Sequence, residues 1–248
     1  MASKSETGHA KNVANFETLI SFCTGYGLKY NPSKDSIKLT ALDTLHLAAG
    51  DSIKLVITTS TVFMTNTNAR QIVFAPVKSL ATQIVNALAA TDASDELIDD
   101  ARTINRKIQG SRKNGNTKPP VPPVEGETPP EDNQISVSQQ SYDSLLENFK
   151  KLVDLVASEP TYTPNEEELK VLTLNDLIKD LAKKNSDVIT ATTALSNGRI
   201  ARNKMLYLPK TGLYAIAQDV KKYVKSVFKA TSPEYKQVSG IKFTNKKI

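Results

Sequence analysis

The sequence contains one cysteine and two histidines among its 248 residues. The lone Cys23 excludes an intrachain disulfide, and its apolar neighbours predict a buried thiol that packs rather than reacts. A hydrolytic triad needs a histidine beside a nucleophile, and only His9 and His46 are available for that role. His9 lies in a predicted mobile leader and His46 among leucines, so we predict that neither acts as a base. The chain is therefore predicted not to be an enzyme.

Signals for cofactors and metals are also scarce. The ten glycines are scattered, and Gly25 and Gly27 are typical of a helix end rather than of a phosphate-binding loop. Asp43 and His46 have the i, i+3 spacing of half a di-metal site, but the second half of the chain offers no matching ligands. The acidic run at 166–168 suits the start of a helix. We predict no cofactor, no metal site and no small-molecule substrate.

The sequence has no segment typical of export or membrane insertion. The first residues, MASKSETGHA, lack the apolar core of a secretory signal. The most apolar window, IKLVITTSTVFM at 53–64, contains a lysine and several threonines and is shorter than the roughly 20 residues that a spanning helix needs. We therefore predict a cytoplasmic protein without a membrane partner.

Basic residues are concentrated in two segments of a chain whose formal net charge is +6. The segment 101–118 carries arginines and lysines without an acid, and 236–247 places lysines near the aromatic residues Tyr235 and Phe243. Because cations neutralise phosphates and aromatic rings stack on bases, nucleic-acid binding is the alternative function. Against it, the helices lack helix-turn-helix spacing, and 159–180 is acidic. The candidate residues are Arg102, Arg106, Lys107, Arg112, Lys113, Lys242, Lys246 and Lys247.

Half of the twelve prolines lie in TKPPVPPVEGETPPED, residues 117–132. Clustered prolines favour extended polyproline II structure, and the charged remainder of the segment opposes folding. The sequence therefore predicts a flexible linker between two bundles. The predicted boundaries are a mobile leader at 1–11, a first bundle at 12–110, the linker at 111–137, a second bundle at 138–243 and a basic tail at 244–248.

The two predicted bundles repeat one pattern. YNPSKDSIKLTALDTL aligns with YTPNEEELKVLTLNDL at an offset of 132 positions, which also pairs Arg70 with Arg202. Upstream, NFETLISF matches SYDSLLENF at an offset of 126, pairing Phe16 with Tyr142. We predict an internal duplication whose second copy is about six residues longer between its first two helices; the alternative is that unrelated bundles use similar caps. The paired arginines are predicted to cap a neighbouring helix or to bind a partner carboxylate.

Apolar residues recur at helical spacing through both halves, and predict an all-α fold of two similar antiparallel bundles. In TPNEEEL, Thr163 and Pro164 predict a helix start. The segment 53–64 is rich in β-branched residues, so a strand is the alternative to the predicted helix there. The predicted helices lie near 12–25, 32–49, 52–73, 77–90 and 94–109, and near 139–158, 164–183, 186–206 and 212–229.

Three phrases carry a resemblance: SETGHAKNVANF near the start, YNPS before the second predicted helix and SPEYKQVSGIKF near the end. They resemble a family of uncharacterised bacterial proteins of similar length, with the Pro-rich spacer as the most variable part. The resemblance implies a bacterial, non-secreted protein and transfers no site residues.

These observations predict a non-enzymatic structural or protein-interaction scaffold. Its partner is either another protein or an equivalent bundle surface. In the second case, the two copies pack about a pseudo-two-fold axis. In the first, they stay apart and each binds a partner, which the linker holds at a raised effective concentration.

Overall fold

A computed structural model describes residues 4–110 and 140–246. The described residues are helical and contain no strand, which confirms the all-α prediction. The predicted linker lies outside them. The α-helices are α1 Lys4–Gly25, α2 Leu39–Phe74, α3 Val77–Ala89, α4 Asp95–Gln109, α5 Tyr142–Ala157, α6 Val171–Tyr207, α7 Leu213–Phe228 and α8 Pro233–Ser239.

The helices α2 and α6 are each continuous where the sequence predicts a break. Helix α2 merges the predicted helices 32–49 and 52–73, and α6 merges 164–183 and 186–206. A glycine such as Gly50 costs only about 1 kcal/mol inside a helix, too little to end one. The 36 residues of α2 extend about 54 Å at 1.5 Å per residue. The segment 53–64 lies within α2, so the helix prediction is confirmed there.

Both long helices start later than predicted because a buried tyrosine shapes the segment before each of them. The Tyr30 hydroxyl donates to the Ile37 carbonyl at 2.6 Å, and the Tyr162 hydroxyl donates to the Leu169 carbonyl at 3.1 Å. Each segment ends in a short 3-10 turn, at Asp35–Ile37 and at Glu167–Leu169. The predicted helix start at Pro164 is therefore wrong, and α6 begins at Val171.

The chain ends are more ordered than predicted. Most of the predicted leader at 1–11 belongs to α1, in which His9 is only 1% exposed. Helix α8 follows the last predicted helix, in a part of the predicted second bundle where no helix is predicted, and the Ser232 side chain caps it by accepting from the backbone N–H of Tyr235 at 3.0 Å. In the predicted basic tail, the Thr244 backbone N–H donates to Asn12 at 2.9 Å. Local capping and contacts with α1 thus replace the predicted mobile ends.

The helices form two compact units that do not follow the predicted bundle boundaries. Unit 1 comprises Met1–Met64 and Thr190–Ile248, and unit 2 comprises Thr65–Ile189. Each predicted bundle therefore contributes helices to both units. The physical reason is the continuity of α2 and α6, because each carries the chain from one unit into the other.

In unit 1, α1 packs against α7 and α8. Phe16 and Leu19 on α1 are fully buried, as is Leu213 on α7. Burial of each such side chain stabilises the fold by about 1.5–3 kcal/mol. Cys23 lies in the same core, and burial raises the pKa of its thiol to about 12, which confirms the predicted buried thiol.

In unit 2, α4 packs against α3 and α5. The core contains Phe149 and Leu152 from α5, Ile84 and Leu88 from α3, and Ile108 from α4. The pairing of helices matches that of unit 1, with α5 in the place of α1, α3 in the place of α7 and α4 in the place of α8.

When the matching helices are aligned by their buried residues, the offsets between them differ from the predicted offsets. Phe16 and Leu19 in α1 correspond to Phe149 and Leu152 in α5, an offset of 133 positions. At the predicted offset of 126, Phe16 and Leu19 align with Tyr142 and Leu145, which are only partly buried, because that alignment follows sequence letters rather than the buried face. Helices α3 and α7 correspond at an offset of 136, which pairs the buried positions 77, 81, 84 and 88 with 213, 217, 220 and 224.

Candidate functional site

The candidate nucleic-acid-binding residues fall in different parts of the protein. Within the described ranges, those on α4 belong to unit 2 and those after α8 belong to unit 1. Arg102 forms an ion pair with Asp99 at 2.9 Å, and Arg106 donates to the Thr103 hydroxyl at 2.6 Å. Lys107 is exposed on the same helix. The remaining candidates, Arg112, Lys113 and Lys247, lie outside the described residues.

The segment that carries Lys242 and Lys246 is bound to α1. Asn15 donates to the Lys242 carbonyl at 2.6 Å, and Asn12 donates to the Thr244 carbonyl at 2.8 Å. Lys246 Nζ lies 3.4 Å from His9 Nε2. These contacts hold the backbone of the segment on the surface of unit 1.

A buried polar cluster surrounds His9 in unit 1. His9 Nδ1 lies 2.7 Å from the Tyr207 hydroxyl, and the Asn12 amide donates to the same hydroxyl at 3.3 Å. This cluster is not predicted from the sequence, because His9 falls in the predicted mobile leader. An apolar stripe on α1 that continues back from Phe16 through Val13 is the signal that would have found it.

The other predicted acid, base and metal candidates are not brought together. Asp43 is exposed, and His46 Nε2 lies 3.9 Å from a carboxylate oxygen of Glu17. In the ranges 4–110 and 140–246, no group of three or more His, Cys, Asp or Glu side chains could hold a metal ion.

The side chains of both repeated arginines contact other side chains. The Arg70 guanidinium lies 4.1 Å from the centre of the Tyr142 ring and donates to Asn185 Oδ1 at 3.0 Å. Asn185 in turn donates to the Asp143 carboxylate. Arg202 is buried and donates to Asn203 Oδ1 at 2.9 Å. Arg70 thus contacts an aromatic ring and a side-chain amide, and helix capping is the wrong prediction for it. The sequence position of Arg70 does not show that a tyrosine ring lies close enough for a cation–π contact.

A cleft of about 580 Å³ lies in unit 2 between α3 and the segment 161–169. Gln83 and Ala87 line it from α3, and Thr91 lines it from just after the end of that helix. Tyr162 and Glu166 line it from the opposite segment. The volume lies within the roughly 300–1,000 Å³ typical of small-ligand sites.

The chemistry of the cleft combines a ring with negative charge. Tyr162 is buried, and burial followed by the negative charge of Glu166 raises the pKa of its hydroxyl to about 12. Glu168 adds a second carboxylate to the lining. At one end, the Thr161 hydroxyl donates to the Thr91 hydroxyl at 3.2 Å. A cleft of this composition favours a cationic group beside an apolar one.

Helix α2 exposes a second notable surface, within unit 1. Leu55, Ile57, Val62 and Met64 are between 47% and 59% exposed. No charged residue occurs from position 55 to position 69. We call Ile57 and Met64, which are seven residues apart on one side of the helix, the α2 face. The stretch Leu39–Ala89, which includes α2, is long and apolar enough to cross a membrane, and 33% of its most apolar window is buried.

Comparisons of the chain with known protein families, with curated proteins and with solved structures find no match.

Proposed function

We propose that this protein is a non-enzymatic protein-interaction scaffold whose docking surface is the α2 face. The observation that carries the proposal is the exposure of Ile57 and Met64 on a stretch of helix without charge. Ile57 and Met64 are seven residues apart and therefore share one side of the helix, whereas Leu55 and Val62 lie on nearly the opposite side, because two residues turn the helix by about 200°. Exposed apolar side chains that share one side of a helix are typical of interaction sites.

The proposal includes an internal duplication in which the two copies exchange helices. Three observations support it: the hydrogen bonds from Tyr30 and Tyr162 to carbonyls seven residues later, the burial register of α1 with α5, and that of α3 with α7. Matching helices also have matching partners in the two units. The sequence resemblance supports a bacterial cytoplasm as the setting of the scaffold.

A site-specific cross-linker tests the docking surface. We expect p-benzoylphenylalanine at Ile57 to give a discrete covalent adduct in the native cell, either with another protein or with a second copy of this chain. The same group at Leu28 is the matched control, because Leu28 is a fully exposed apolar residue of unit 1 that lies outside the α2 face. The adduct should disappear when Met64→Lys is added. Absence of an adduct at Ile57, or equal adducts at both positions, would rule out the α2 face as the docking surface.

The second candidate function, nucleic-acid binding, rests on the exposed cations of α4 and on Lys242. A titration with duplex DNA and with single-stranded RNA at two ionic strengths separates the candidates. The scaffold predicts no salt-dependent affinity. Nucleic-acid binding predicts affinity that falls steeply with salt and drops in a variant with Arg102→Gln, Arg106→Gln and Lys242→Gln.

A further inference from the structure

The cleft of unit 2 occupies a position that unit 1 fills with its own side chains. In unit 1, the Tyr223 ring of α7 packs edge-on against the Tyr30 ring, with the ring centres 5.3 Å apart. The Tyr223 hydroxyl accepts a hydrogen bond from the Asn31 backbone N–H at 3.1 Å. The register of α3 with α7 places Ala87 at the position of Tyr223, and Tyr162 corresponds to Tyr30. Unit 2 therefore has a counterpart of the Tyr30 ring, in Tyr162, but no counterpart of the Tyr223 ring that packs on it.

The charges around this position are also different. In unit 1, Lys34 Nζ forms an ion pair with Asp219 at 2.6 Å, one helical turn before Tyr223. The corresponding positions of unit 2 carry Glu166 in the place of Lys34 and Gln83 in the place of Asp219. Both line the cleft. On the segment that faces the helix, unit 2 thus has a carboxylate, Glu166, where unit 1 has the cation of Lys34.

We propose that the cleft of unit 2 binds a small arylalkylamine, whose ring packs on Tyr162 in the place of Tyr223 and whose ammonium group faces Glu166. The ligand supplies from outside the chain the two groups that unit 1 supplies from within it, an aromatic ring and an adjacent cation. An edge-on aromatic pair stabilises a complex beyond the contribution of the area that it buries.

The site does not require a hydroxyl group on the ring. In unit 1 the Asn31 N–H donates to the Tyr223 hydroxyl, but the corresponding N–H of Thr163 donates to the Thr161 carbonyl at 3.0 Å. A phenol in the cleft would therefore lack the donor that Tyr223 has. The simplest probe is 2-phenylethylamine, which carries a ring and a cation and nothing else.

Isothermal titration calorimetry on the full chain tests the proposal with three probes. The expected result is saturable binding of 2-phenylethylamine with a Kd of about 1 mM or below, the range open to a ligand of this size. Benzyl alcohol has the ring without the cation, and n-butylamine has the cation without the ring. Each should bind at least about fivefold more weakly. Equal binding of all three, or no saturable binding at about 10 mM 2-phenylethylamine, would overturn the proposal.

Two variants locate the binding. Ala87→Tyr restores the ring of unit 1 and should weaken 2-phenylethylamine at least about tenfold, since it fills the site. Ala182→Tyr is the matched control, because Ala182 is exposed on α6 and does not line the cleft, and it should leave the Kd unchanged. Glu166→Gln keeps the shape and removes the charge, and should weaken binding about fivefold while leaving benzyl alcohol unaffected. Binding that survives both Ala87→Tyr and Glu166→Gln would place the ligand elsewhere and overturn the proposal. The cleft and the α2 face lie in different units, so this test is independent of the cross-linking experiment.

Discussion

The same place in the two units is closed in one and open in the other. Tyr223 packs beside Tyr30 in unit 1, and Ala87 leaves the space beside Tyr162 open in unit 2. The surrounding framework is the same in both, because each tyrosine donates to a carbonyl seven residues later. One helical framework can therefore have either a filled position or a cleft beside this tyrosine. Which of the two occurs depends on one side chain of the neighbouring helix, Tyr223 in α7 or Ala87 in α3.

The largest expected effect comes from the matched core phenylalanines. Phe16→Ala in unit 1 and Phe149→Ala in unit 2 should each lower the free energy of unfolding by about 3–5 kcal/mol, because both rings are fully buried. Urea unfolding followed by circular dichroism measures the loss. Lys150→Ala is the control beside Phe149 and should be nearly neutral, since Lys150 is exposed. An unchanged free energy of unfolding in either phenylalanine variant would contradict the correspondence of α1 with α5.

Tyr223→Ala should open a space beside Tyr30 in unit 1 like the cleft beside Tyr162 in unit 2. The change removes a partly buried ring and the acceptor of the Asn31 N–H, so we expect a loss of about 2 kcal/mol in urea unfolding. Ala87→Tyr in unit 2 is the reverse change and should not destabilise the protein, because the cleft has room for the ring. Equal destabilisation by both changes would show that the two positions do not correspond.

A smaller effect is expected from the two tyrosine hydroxyls that shape the segments before α2 and α6. Tyr30→Phe and Tyr162→Phe each remove one buried hydrogen bond to a carbonyl and keep the ring. Each should lower the free energy of unfolding by about 1 kcal/mol. Tyr235→Phe is a control, because its ring is only partly buried in unit 1. A neutral result at Tyr30 or Tyr162 would contradict the role assigned to that hydroxyl.

The smallest expected effect is a pH dependence of the free energy of unfolding that Asp219 gives to unit 1 and that unit 2 lacks at the corresponding position. The hydrogen bond from Lys34 lowers the pKa of the Asp219 carboxyl, whereas unit 2 has the neutral Gln83 there. Because the folded pKa is below the unfolded value of about 3.9, the stabilisation is present above that value and is lost as the pH falls through the folded pKa. Since the pair is partly exposed, we expect a stabilisation of less than about 1 kcal/mol. It should be lost in Asp219→Asn and reduced in Lys34→Ala, where Lys222 still lies 3.3 Å from Asp219. Urea unfolding at about pH 6 and about pH 3 measures it. An unchanged pH dependence in both variants would contradict this assignment.

Most individual helices were predictable from the sequence. The apolar stripe of α7 predicts a helix near 212–229, and the structure has Leu213–Phe228. The stripe of α3 predicts 77–90, and the structure has Val77–Ala89. These helices have a clear boundary at each end and a single buried face, so local periodicity is sufficient.

The exchange of helices between the units was not predictable in the same way. It depends on the continuity of α2 and α6, and a polar or glycine-containing interruption such as Gly50 is a weak barrier to helix propagation. It also depends on which apolar stripe α1 contacts. Helices α3 and α7 carry equivalent stripes, and only tertiary packing decides that α1 contacts α7 while α3 contacts α5.

The cleft of unit 2 was hidden for a related reason. The sequence alignment at 132 and 133 positions sets Tyr223 against Thr91 or Ala90, so the contrast with Ala87 does not appear. The buried faces of α3 and α7 establish the offset of 136, because the connections before the two helices differ in length. Side-chain burial, rather than sequence identity, was needed to find the equivalent position.

The central claim is that each unit takes helices from both halves of the chain. A protease site placed within the predicted linker at 111–137 tests it directly, because cleavage there leaves α1 to α4 on one fragment and α5 to α8 on the other. We predict that the fragments stay together in one complex on size-exclusion chromatography after cleavage and separate only in denaturant. Each isolated fragment should then lose most of its cooperative unfolding, and mixing the two should restore it. Fragments that separate without denaturant and each unfold cooperatively would contradict the exchange of helices.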